Sequence, residues 1–256
     1  MASGLSLHFR NAILCHSTAT PDPEPQSARR QLSAQRADSS KERAGSTLEL
    51  LKTIEGIARK RAKQAGPAHD FSHVRRVALT ASKLALAEAA DHEITVAAAL
   101  LHELFNYPKD HELSHMSGDV CAEQATEVLQ GLEFPADRTA AVALCIREHS
   151  FSKGVTPTTL ESRILQDSDR LDAMGAIGVA RWAATCADMQ RCFYDSEDPF
   201  CESREVDDRS FGVDHFYRKL LKLAEGLHTA AAHELARERL RFMKDFLNQL
   251  RGEIQA

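Results

Sequence analysis

No apolar stretch in the sequence approaches the roughly 20 residues needed to cross a bilayer, which excludes a membrane-spanning segment. An excess of positive charge is also missing. The net charge is −5, so there is no basic field to draw nucleic acid by counterion release, although a local basic pocket for a small anion stays open. The six cysteines (Cys15, Cys121, Cys145, Cys186, Cys192 and Cys201) contain no Cys-x-x-Cys pair. Such irregular spacing reads as core and surface thiols of a reduced intracellular protein, and the cytoplasm is the expected location. No segment alternates apolar and polar residues as a half-buried strand does, and no internal repeat is visible.

What is present is helical. Ala, Leu, Glu and Arg dominate, and 43% hydrophobic content is enough to bury a substantial core. Residues 1–45 stand apart, because PDPEPQSARRQLSAQRADSSKERAGS shows no sustained apolar period and reads as a disordered tail. Its first twenty residues lack acids and carry Arg10, which leaves an organelle-targeting peptide as the alternative. From Thr47 the helical period predicts helices over 47–64, 71–90, 92–105, 117–131, 136–148, 159–173, 175–190, 214–224 and 228–251. Residues 191–213 lack a period and read as a long ordered loop. The expected fold is therefore an all-α bundle over 46–256.

Three of these helices carry candidate chemistry. The run VAAALL, Val96 to Leu101, is apolar on every side and suits a helix in the middle of a bundle. His102 and Glu103 end it. A buried imidazole and carboxylate need partners, and a metal ion would satisfy both. In AHDFSHVRRV, Asp70 is placed to cap a helix, and His73 shares a face with Val77, Ala81 and Leu84, so it points inward. In RILQDSDRLDAMGAIGVAR, the carboxylates Asp167, Asp169 and Asp172 are interleaved with Ile164, Leu165 and Leu171. Helical geometry lets either Asp167 or Asp169 reach the interior. Two imidazoles and two carboxylates from three helices are a recurrent way to hold a divalent transition metal with positions left for water and substrate.

His73, the pair His102-Glu103 and Asp169 resemble the H…HD…D signature of the HD superfamily of metal-dependent phosphohydrolases. HDFSHVRRV, IREHSFSKGVTP, LQDSDRLDAMGAIGVAR, DPF and DHFYRKLLKL further resemble its small single-domain bacterial nucleotide phosphohydrolase subgroup, over about residues 47–254. The resemblance implies an HD-type helical bundle with His73, His102, Glu103 and Asp169 on a divalent metal. Asp169 is preferred to Asp167 because SDRL mirrors the family's Ala-Asp-hydrophobic context. Mn²⁺ is the expected metal, with Mg²⁺, Co²⁺, Fe²⁺ or Zn²⁺ as alternatives. Glu103, His149 and Arg170 are expected in the chemistry, and Lys109, His111 and Lys153 on the substrate, since cations beside a metal hold phosphate oxygens. The implied substrate is a nucleotide, with a triphosphate cleaved to monophosphate and pyrophosphate as one such reaction; a homo-oligomer is also open. The departure is Glu103, where the family has aspartate. Its extra methylene shifts the carboxylate in a site that tolerates only roughly 0.5 Å, so the alternative is an impaired HD protein serving as a nucleotide-binding or regulatory module.

The stretch HELSH also matches the His-Glu-x-x-His spacing of a zinc protease, through His111, Glu112 and His115. The match extends to Gly118, but Cys121 stands where the last histidine is required. Pro108 and Ser117-Gly118 bracket this stretch as a loop between helices, with no strand for such a site to pack against. We therefore expect no protease site there.

Overall fold

Three of the helix starts follow a capping side chain. The computed structural model describes residues 45–61, 70–107, 111–149 and 154–254; the tail expected over 1–45 lies, but for Gly45, outside them. Residues 45–61 form α1. Asp70 accepts from the His73 amide at 3.0 Å and opens α2, Phe71–Ala87. Asp91 accepts from the Ile94 amide at 3.1 Å and opens α3, His92–Leu101. Then come α4 (Ser117–Gly131) and α5 (Ala136–His149), and α6 (Leu160–Asp172), which begins where Thr159 Oγ1 accepts from the Ser162 amide. The rest is α7 (Gly175–Asp188), α8 (Asp214–Arg218) and α9 (Ala230–Ile254). Side-chain acceptors at these N-caps satisfy amides that the helix itself cannot. Among the described residues no strand forms beyond an isolated bridge between Cys192 and Phe211, and no helix is long and apolar enough to cross a membrane.

α3 lies at the centre, as its composition requires. Every residue from Thr95 to Leu101 is buried, against α2, α5 and α6. α9 packs over α6 and α7. Cys121, Cys145 and Cys186 are buried free thiols, while Cys192 is exposed.

Several expected boundaries move by two or three residues, as where α2 ends at Ala87 rather than 90, and two change more. α3 stops at Leu101 rather than 105, where the single S–H of Cys121 is shared between the carbonyls of Leu101 and His102, each 3.2 Å from Sγ. Burial pushes this thiol up to about 12, so it keeps its proton. The helix expected over 214–224 divides into α8 and a 3-10 turn, Leu220–Gly226.

The loop over 191–213 is ordered by carboxylates. Asp198 accepts from the amides of Glu202, Ser203 and Arg204 at 2.7 to 3.1 Å, and Phe200 after it is buried. Asp214 is fully buried and accepts from Arg204 Nη1 and Nη2 at 2.6 and 2.8 Å. Burial works to raise the Asp214 carboxyl, but the Arg204 guanidinium and the Asp207 amide hold it below its ordinary value. A carboxyl depressed on folding contributes stability above its unfolded value of about 3.9, and that stability is lost as pH falls through the folded value. Arg204→Met is thus expected to destabilise by about 3 kcal/mol at neutral pH and to move acid unfolding to higher pH. Thermal melts across a pH series check both effects.

Candidate metal centre

His73 sits in the first turn of α2 and His102 just past the end of α3, and both are 1% exposed. The Nδ1 atom of His102 lies 2.7 Å from the Ala99 carbonyl. A carbonyl only accepts, so Nδ1 carries the proton and Nε2 presents a lone pair. His73 Nδ1 lies 2.8 Å from Asp172 Oδ2, and its Nε2 comes to 3.4 Å from that of His102. Asp169, on α6, places Oδ1 3.4 Å from His73 Nε2. Glu103 Oε1 is 3.9 Å from each Nε2.

These separations fit a shared ion. Two atoms bound to one metal at about 2.1 Å stand at most about 4.2 Å apart, and the separations of His73 from His102, Asp169 and Glu103 and of His102 from Glu103 lie inside that limit, although Glu103 is outside the mutually close group of His73, His102 and Asp169. Two imidazole lone pairs facing one another at 3.4 Å repel unless a proton or a cation lies between them. Two nitrogens and two carboxylates are a donor set for a divalent transition metal. Among the described residues, His73, His102 and Asp169 form the group whose ligand atoms all lie within 4.8 Å of one another.

Electrostatics separate the two histidines. Burial drives His102 down to about 4, against the opposing charge of Glu103, and so keeps it neutral. Burial also lowers His73, but the Asp172 hydrogen bond and the charges of Asp169 and Asp172 outweigh it, so its pKa is raised. Asp172 is buried too, yet hydrogen bonds from His73 and Arg76 hold it well below the usual carboxylate range.

The other expected residues fall in different places. His149 ends α5 with its ring 5.3 Å from that of His102, and its Nδ1 lies 2.5 Å from the Ile146 carbonyl, so its Nε2 also presents a lone pair. Asp167 is not in the cluster. It accepts from the amides of His228 and Thr229 at 2.9 Å and from Thr229 Oγ1 at 2.8 Å, at the start of α9. Arg170 donates to the Gly226 carbonyl and approaches His228 Nε2 at 3.4 Å, so its guanidinium is held against the turn before α9. His111 is exposed and stacks on Tyr107, with ring centroids 4.7 Å apart. Lys109 and Lys153 lie outside the described residues. In HELSH, His115 Nδ1 contacts the Glu112 carbonyl at 3.1 Å beside a 3-10 turn; that turn is not the α-helix which zinc-protease spacing requires.

Reasoning from the sequence did not assign Arg76 or Arg181. Arg76 Nε and Nη2 donate to Asp172 at 2.7 and 3.0 Å, and Arg181 Nη1 at 2.8 Å. Asp172 was visible only as an acid beside apolar Leu171.

A model of the HD domain matches residues 70–174, a span that opens at the cap of α2 and closes just beyond α6. The YpgQ protein of Bacillus subtilis is 33% identical over 187 residues, which is 73% of this chain and 84% of YpgQ. This chain belongs to the HD-domain family. The crystal structure of YpgQ in complex with ADP superposes on this chain with a TM-score of 0.64 and 28% identity, covering 82% of this chain and 99% of that one. An HD-superfamily hydrolase from Bacillus thuringiensis gives 0.66 at 28% identity, with the same coverage. The helical HD bundle expected from the resemblance is the fold observed.

Proposed function

We propose that this HD domain is a metal-dependent hydrolase of nucleotide phosphate esters or anhydrides, with cleavage of a nucleoside triphosphate to monophosphate and pyrophosphate as the first reaction to test. The observation that carries the reading is the pair of imidazole Nε2 atoms 3.4 Å apart flanked by two carboxylates. The ADP complex of YpgQ supports a nucleotide as the ligand.

His73, His102, Glu103 and Asp169 would hold the cation, Mn²⁺ first among those to try. Bound there, a divalent ion supplies a Lewis acid that makes water nucleophilic near neutral pH and polarises a phosphoryl oxygen. Ala99 and Ile146 hold His102 and His149 by their Nδ1 protons. His149 thereby keeps a basic Nε2 that can take a proton or return one at the leaving group. Lys109, His111 and Lys153 neutralise charge that develops on the phosphates. Arg170, held on Gly226, adds positive potential without direct contact.

One observation favours the rival, a nucleotide-binding module without turnover: Glu103 stands 3.9 Å from each imidazole, farther than Asp169 from His73. A nucleotide panel with Mn²⁺, run on the wild type and Glu103→Asp, separates the two. Turnover by the wild type supports the enzyme, and turnover by the variant alone supports the module. Glu103→Gln is expected to weaken Mn²⁺ binding by about 10- to 100-fold or more, with Glu103→Asp at least as tight as wild type. Unchanged binding in Glu103→Gln removes Glu103 from the ligand set.

A further inference from the structure

Four hydrogen bonds from three side chains converge on Asp172, which is 4% exposed. Oδ2 receives His73 Nδ1 at 2.8 Å, Arg181 Nη1 at 2.8 Å and Arg76 Nη2 at 3.0 Å, while Oδ1 receives Arg76 Nε at 2.7 Å. The carboxylate on α6 thus gathers donors from α2 and α7. We propose that Asp172 is the positioning residue for His73, accepting its Nδ1 proton so that the Nε2 lone pair faces the cluster, with Arg76 and Arg181 holding the carboxylate in place. The proposal rests on the reading of His73 as a metal ligand.

The need for an outside acceptor follows from where each histidine sits. His102 lies at the C-terminal end of α3, where helix carbonyls lack intrahelical partners, and it uses the Ala99 carbonyl. His73 is the third residue of α2, where the helix end offers amides and no carbonyl. Its acceptor must come from another element, and α6 supplies it. The guanidiniums settle which atom carries the proton. Arginine is donor-only and stays charged, so a carboxylate that faces two of them stays ionised and can only accept. In the neutral ring His73 Nδ1 is then the protonated nitrogen. Partners of this kind, which fix the tautomer and ring orientation of a ligand histidine, tune metal affinity.

Bracing of α2, α6 and α7 by ion pairs is the structural alternative, and two variants of the full chain tell them apart. Asp172→Asn keeps an oxygen that can accept from His73 Nδ1 but loses the charge; Asp172→Leu keeps the shape and accepts nothing. Both are expected to lower the melting temperature. Calorimetric titration with Mn²⁺ is expected to show a 10- to 100-fold loss of affinity in Asp172→Leu and only a several-fold loss in Asp172→Asn. Equal losses in the two, or none in Asp172→Leu, overturn the proposal and leave the metal site standing. Wild type that binds no Mn²⁺ overturns the metal reading and the proposal with it. Nitrogen-15 spectra of the metal-free wild type at alkaline pH supply an arm that needs neither metal nor a folded variant. A His73 ring protonated on Nδ1 supports the proposal, and one protonated on Nε2 overturns it.

Discussion

His102→Ala is expected to abolish Mn²⁺ retention and hydrolysis together while the far-ultraviolet spectrum stays helical. The side chain is buried, neutral and tied by one nitrogen to its own helix, so its Nε2 has no evident task apart from the cluster. Removing a direct donor should cost more than about 100-fold in affinity, the upper end of what disturbing the surrounding hydrogen bonds costs. His115→Ala is the control, because His115 is exposed in the turn before α4 and belongs to the protease-like spacing. Metal content after purification reads both. A His102→Ala protein that keeps its metal would place the ion elsewhere.

Asp167 and Asp169 should separate metal binding from folding. Asp169→Asn is expected to lose Mn²⁺ affinity and turnover with little change in stability, since Asp169 is about a third exposed and faces His73. Asp167→Ala is expected to do the reverse. It leaves the His228 and Thr229 amides and the Thr229 hydroxyl without their acceptor, at a cost of about 2–4 kcal/mol, while the cluster stays whole. Urea denaturation and Mn²⁺ titration on the two variants give the result directly. Loss of metal in Asp167→Ala without loss of stability would reverse the assignment.

Much of the fold was legible because helical patterning is local. An apolar run with no polar side predicted that α3 is central, and each residue from Thr95 to Leu101 is buried. The face shared by His73, Val77, Ala81 and Leu84 predicted an inward histidine, and all four are buried. The end of α3 was not legible, since the thiol that its end carbonyls share comes from Cys121 on α4. Arg170 was equally opaque, because its partner Gly226 is 56 residues away.

The choice between Asp167 and Asp169 shows where local pattern ends. Successive helical residues turn by about 100°, so these two side chains stand about 200° apart and cannot both meet the same histidine. By itself the sequence determined that α6 interleaves acids with its apolar positions, and its period left either Asp167 or Asp169 able to reach inward. Tertiary structure decided the rotation of α6: the start of α9 docks on Asp167, which turns the other face to α2. Asp169 then meets one nitrogen of His73 and Asp172 the other. Helical period sets angles within one element, whereas the direction a face points is set by what packs against it.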